Sequence, residues 1–179
     1  METLAKTAWA IDPTHSEVGF KIKHLVISTV KGKFEAFEGT VETEEDQWEE
    51  ANIEFSAKID SINTGVADRD AHLKSDDFFN AESYPELKFK STSLVKIGEG
   101  KFELTGDLTI RDITKSIKLN VEHGGTVVDP YGNTKAGFEI SGKINRKEFG
   151  LKWDAVTEAG SIVVSDDVQL DLNVQLVKQ

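Results

Sequence analysis

Residues 17–25 read EVGFKIKHL, and the way their side chains alternate decides the fold. In an extended chain successive side chains point to opposite faces, so Val18, Phe20, Ile22 and His24 share one face while Lys21 and Lys23 share the other. One face is apolar and the other charged. That is the pattern of an antiparallel strand with one buried side.

The pattern recurs in short runs bounded by Gly, Asn and Asp, at 18–26, 30–43, 52–61, 86–93, 101–110, 115–123, 134–145 and 168–177. One helical segment is predicted, at 66–75. With no linker, repeat or low-complexity stretch, the chain reads as a single all-β domain over 1–179. Consecutive strands joined by tight turns predict an eight-stranded antiparallel barrel, because closure removes exposed edges. A two-sheet sandwich is the alternative.

Strand phase also predicts what lies inside. Ile53, Phe55, Ala57 and Ile59 share a face, as do Leu87, Phe89 and Ser91, then Phe102, Leu104, Gly106, Leu108 and Ile110. Ile117, Leu119, Val121 and His123 follow, then Phe138, Ile140, Gly142, Ile144 and Arg146, and last Val168 to Leu176 at every second position. Gly106, Gly142, Ala57 and Ser91 are small where a solid core favours branched bulk. A barrel of this size is either plugged by side chains or holds one small ligand. Pattern alone leaves two readings equally open, a cavity, or bends at the glycines. In the run 30–43, Phe34 and Ala36 share one phase and Phe37, Gly39 and Val41 the other. A bulge near Ala36 would turn both phenylalanines inward.

Composition narrows the function classes. The 179 residues include no cysteine, which excludes disulfides, thiolate metal sites and a cysteine nucleophile. A formal charge of −11 disfavours nucleic acid and extended contact with an anionic membrane, both of which need clustered Lys and Arg. The opening METLAKTAWAIDP has no apolar run long enough for a signal-peptide core, and nothing downstream is long enough to span a bilayer. The expectation is a soluble cytoplasmic protein without stable membrane insertion, with a trimmed leader as the alternative.

The densest group of ligand-type residues is DRDAHLKSDDFF at 68–79. On a helix Asp68 and His72 lie one turn apart, a spacing that suits a metal. Asp70 points away from that face, no second histidine is near in sequence, and acidic residues at a helix start complement its dipole unaided. The structural reading is preferred. Arg146, whose phase sends it inward, needs a carboxylate, carbonyl or ligand group. An ion pair with Asp70 or Asp154 is the expected answer, a ligand head group the alternative. No GxSxG, glycine-rich phosphate loop, HxxxH or triad spacing occurs.

Four segments together resemble the YceI family of polyisoprenoid-binding proteins: DPTHSEVGFKIKHLVISTVKGKFEAFEGTV at 12–41, DSINTGVADRDAHLKSDDFFNAESYPELKFKST at 60–92, GDLTIRDITKSIKLNVE at 106–122 and AGFEISGKINRKEFGLKW at 136–153. The resemblance joins several long motifs in order over nearly the whole chain. It implies a lipocalin-like barrel whose elongated pore holds an isoprenoid chain or isoprenoid quinone, with no catalytic centre, no metal and no cofactor beyond the bound lipid. Arg111, Asp112, Ser116 and Glu148 depart from the family pattern, the first three at a turn whose geometry they put in question. The expected ligand-binding residues are Phe20, Ile22, His24, Phe34, Phe37, Phe55, Ile59, Phe89, Leu104, Leu108, Leu119, Phe138, Ile140 and Arg146, with Trp153 walling the mouth. Transport or sequestration of a long-chain isoprenoid lipid is the expected role, and a homodimer is left open. An enzyme using the same cavity, or a stress-associated interaction protein with a solid core, are the rival readings.

Overall fold

The computed structural model describes residues 5–25, 27–153 and 164–179. Its strands are β1 (Lys6–Ile11), β2 (Glu17–His24), β3 (Ser28–Phe34), β4 (Phe37–Glu44), β5 (Gln47–Lys58) and the short β6 (Ile62–Asn63). Helix α1 (Ala67–Lys74) follows, then β7 (Glu86–Gly98), β8 (Lys101–Ile110), β9 (Ile113–Val128), β10 (Thr134–Asn145) and β11 (Val164–Lys178). β11 pairs with β10 along one edge, and along the other with β2 and then β1, where Lys178 opposes Trp9. Leaving out the two-residue β6 and counting β1 with β2 and β3 with β4 as bent single staves, eight antiparallel staves close into a barrel.

The first stave bends at residues 12–16. Asp12 accepts from the Thr14 amide and hydroxyl at 3.0 and 2.7 Å, and His15 Nδ1 lies 2.7 Å away. These partners, the Thr14 hydroxyl foremost, hold the Asp12 carboxyl down to about 2. The second stave bends where a bulge was expected. Glu35 and Ala36 instead form a corner that ends pairing with β2 and begins pairing with β1, and the Glu35 amide donates to Ser61 O while Ala36 O accepts from Lys58 N. Strand β1 escaped the sequence reading because Ala8 and Ala10 blur the alternation around Trp9.

Of the two readings left open for the inward glycines, space at the glycine itself does not hold for Gly106 or Gly142. A Cβ on Gly106 would lie 2.3 Å from Phe89 Cζ, and one on Gly142 2.4 Å from Leu119 Cδ2. Gly32 is covered by Phe20 and Gly39 by Ile11 in the same manner. Each glycine is a socket that lets a neighbouring side chain lie flat against the wall. Ser91 also differs from expectation: its hydroxyl accepts from Ile53 N at 2.8 Å and donates to Ala51 O, standing in for ladder bonds where β7 bulges. Ala57, 1% exposed, is ordinary core.

At one end β3 gains only the two-residue β6 as its outer partner, and the segment carrying α1 fills the gap before β7. The acidic cluster here is engaged by protein partners. Asp70 accepts from the Thr64 amide and hydroxyl, His72 Nε2 lies 2.8 Å from Asp77, and Asp76 pairs with Arg111 at 2.8 Å. Arg111 adopts φ +55° in the β8–β9 turn and also donates to the carbonyls of Asp76 and Phe78. The departure at this turn therefore fastens the post-helix loop to the barrel.

Candidate functional site

The barrel encloses a cavity of about 540 Å³ whose wall is almost wholly apolar. This volume suits one ligand of moderate size. Its walls come from every stave, because the inward phase of each strand delivers aliphatic and aromatic side chains to the axis. All the residues expected to meet a ligand line it except two. Phe37 lies against Phe55, ring centroids 6.2 Å apart, without reaching the lumen. Ile59 falls after the end of β5, in a 3-10 turn held by Ile59 N to Pro85 O at 2.9 Å, and is buried 2% exposed outside the cavity wall.

The two ends of the cavity differ. At the end formed by the starts of β1 and β5, Trp48 packs on Trp9, Phe138 and His123 with centroids 4.9, 4.8 and 5.6 Å away. His123 stacks on Phe138 at 4.8 Å with an interplanar angle of 23°, and burial lowers its pKa, favouring the neutral ring. Trp48 escaped the sequence reading because Glu50, at φ +59°, breaks the alternation between Trp48 and the run from Ala51. The acidic stretch around it masked the strand.

At the other end, Thr64, Asp68, Arg69 and His72 of the α1 segment line the cavity with His24, Arg146 and Trp153. Asp68 is exposed, so the cavity reaches the surface here. Thr40 and Glu54 also border the cavity, but by strand alternation through their main chain, and the Glu54 side chain is 67% exposed and paired outward with Lys90. Trp153 meets His72 edge-to-face at 4.8 Å and Phe78 at 5.5 Å. Arg69 donates to the Thr64 hydroxyl and carbonyl.

Arg146 opens a 3-10 turn (Arg146–Phe149) directly after β10, and its side chain is 2% exposed. Its guanidinium donates to the carbonyls of Leu151, Trp153, Ser165 and Val164 at 2.6, 2.7, 2.8 and 3.3 Å, with Asp166 at 4.0 Å. The expected pairing with Asp70 does not form, since Asp70 serves Thr64. Asp154 lies outside the described residues. Among the described residues, four carbonyls and the Asp166 carboxylate surround the guanidinium.

Such a chain is a closed antiparallel barrel of the lipocalin-like kind, built around an apolar lumen. It belongs to the YceI family: the YceI-like domain matches residues 9–176. A UPF0312 protein of Photorhabdus laumondii is 46% identical over 140 residues, covering 78% of this chain and 72% of its own. The crystal structure of the Campylobacter jejuni YceI protein shares 35% identity, with a TM-score of 0.76 over 100% of this chain and 99% of that one. A polyisoprenoid binding domain from Saccharophagus degradans has the same fold, with a TM-score of 0.70 at 17% identity, over 99% of this chain and 100% of that domain. No helix among the described residues is long and apolar enough to cross a membrane.

Proposed function

We propose that this chain binds a polyisoprenoid, an isoprenoid quinone or a similar long-chain amphiphile in the barrel lumen, and carries or sequesters it without transforming it. The observation that carries this reading is the lumen itself, about 540 Å³, apolar along its length and polar only at the α1 end. Each methylene moved from water into such a wall is worth roughly 0.8 kcal/mol, so a long chain is retained with few polar contacts. The ligand contacts we assign are the expected residues that line the lumen, from Phe20 and Phe34 to Phe138 and Ile140, with the head group beside His24, Arg146 and Trp153. The polyisoprenoid-binding relative in fold supports the same class of ligand by analogy.

A binding role fits the polar groups better than catalysis does. His72 and Asp77 pair, but the neighbouring Ser75 hydroxyl donates to His72 O at 2.6 Å and offers no nucleophile to that pair. The same reading has a cytoplasmic protein, which cell fractionation checks, and a homodimer is tested by sedimentation. Native mass spectrometry of the purified protein, with extraction of what accompanies it, tests the ligand. One isoprenoid-length lipid per chain is expected, lost in Leu172→Trp, which fills the lumen. A lipid-free chain that takes up no added isoprenoid quinone would sink the proposal.

A further inference from the structure

The hairpin of β2 and β3 is unlike the rest of the molecule. Residues 17–34 hold four lysines and one glutamate, a formal charge of +3, so the remainder of the chain carries −14 of the total −11. The four lysines share the strand phase opposite to Phe20 and Ile22, and Lys21 stands directly opposite Lys31 across the ladder. Like charges in that position are unfavourable, and among the described residues only Lys21 is relieved, by Asp171 at 3.4 Å. Lys23 bonds the Thr29 hydroxyl, and Lys31 and Lys33 are exposed with no ion-pair partner among the described residues.

The tip breaks a second rule. Hairpin turns favour Asn, Gly and Asp, which tolerate positive φ and face water. Here the connection reads HLVIS, Leu25 adopts φ +54° and is 38% exposed, and Ile27 is 85% exposed. Val26 between them lies outside the described residues. This tip is continuous with the cavity: Lys23 and His24, directly before it, belong to the cavity lining.

We infer that the tip of the β2–β3 hairpin docks on an anionic phospholipid bilayer, Leu25 and Ile27 entering the interface and Lys21, Lys23, Lys31 and Lys33 facing the head groups. Apolar side chains backed by a lysine cluster are what a peripheral contact with an anionic bilayer requires. The lysines complement anionic head groups and the apolar tip matches the bilayer interface, while a second copy of this chain is left as an outcome of the test. Lysines on an edge strand also discourage pairing with another chain, yet that role needs no apolar tip. Docking there brings the polar end of the lumen to the membrane surface, the place from which an amphiphile would be loaded. The docking itself does not require the lumen to be filled.

Flotation with vesicles of phosphatidylcholine plus phosphatidylglycerol, against phosphatidylcholine alone, tests this without any isoprenoid. Binding to the anionic vesicles only, weakening as salt rises, is expected. Ile27→Asp should abolish it, and Lys31→Glu with Lys33→Glu should weaken it by more than about tenfold, since a lysine at the surface is worth about fivefold. Both variants should keep the wild-type melting temperature, because these side chains are exposed. Val128→Asp, exposed at the far end of the barrel, should bind like the wild type. Absence of wild-type binding, equal binding to both vesicles, or indifference to Ile27→Asp would overturn the inference. So would sedimentation showing a dimer that Ile27→Asp splits. Isoprenoid uptake from detergent by Ile27→Asp, measured beside this, separates a failure of docking from a failure of lumen binding.

Discussion

At one end of the barrel Trp9, Trp48, His123 and Phe138 close the lumen with rings alone, and at the other the wall is made of Arg69, His72, Arg146, Trp153 and the carbonyls that Arg146 gathers. The first end faces the lumen with the rings of Trp48 and Phe138, which favour an apolar chain over a head group that would have to give up its hydrogen bonds with water. The second offers donors and reaches the surface beside Asp68. An amphiphile in this lumen has one favourable orientation, tail toward Trp48 and head toward α1. The asymmetry, more than the volume, is what supports the proposal that the cavity is a site.

The largest expected effect breaks the polar end. Arg146→Met leaves four carbonyls and the Asp166 carboxylate without their donor, and should cost about 3–5 kcal/mol in denaturant unfolding. Because the guanidinium is already spent on the main chain, affinities for an isoprenyl phosphate and the matching alcohol should change alike. A loss confined to the phosphate would give Arg146 to the head group and redraw the contrast between the ends.

Next comes the wall between them. Gly106→Ala sets a methyl against Phe89 and Lys90 O at 2.3 and 2.7 Å, and should cost about 1–3 kcal/mol as the ring is driven into the lumen, with lipid affinity falling too. Gly142→Ala meets only the end of Leu119 closely, and should cost less. Equal stability in both variants, read by thermal unfolding, would mean that the sockets do not hold their side chains.

Smaller effects sharpen the aromatic end. Since burial lowers the His123 pKa, the unfolded chain binds the proton more readily, so stability should fall as pH drops through the ordinary imidazole value of 6.5. His123→Phe should remove that slope, and a slope unchanged in the variant would place its origin elsewhere. Asp12 acts in a lower window. Its carboxyl, held at about 2 against an ordinary 3.8, contributes stability present above that range and lost as pH falls from about 4 toward 2. Asp12→Asn should flatten unfolding measured across that window.

Much of this was legible in the sequence because strand phase is a local property. The inward face of 17–25 predicted Phe20, Ile22 and His24 in the wall, and the equivalent faces of β8, β9 and β10 predicted Leu104, Leu119 and Phe138. What phase could not carry was anything set between strands. A glycine on an inward face looks like empty space until the neighbouring strand supplies Phe89 or Leu119 to cover it. Phe37 and Ile59 have the right phase but lie where the stave turns or ends, so they pack beside the lumen and not on it. Trp48 was hidden by a left-handed Glu50, a backbone choice that pattern does not register. Arg146 was correctly seen as inward and buried. Its carbonyl partners come from loop and strand backbone that leaves no trace in residue type.

The central claim is that the lumen binds by burying chain length from a polar mouth toward an aromatic floor. Affinity measured across isoprenoid alcohols of increasing length tests it most directly. The account predicts that each added isoprene unit tightens binding by more than about tenfold, at roughly 0.8 kcal/mol per methylene, until the chain meets the Trp48 ring, after which affinity stays level. Trp48→Ala should move that plateau to longer chains. Affinity independent of chain length from the shortest alcohol onward would contradict the account.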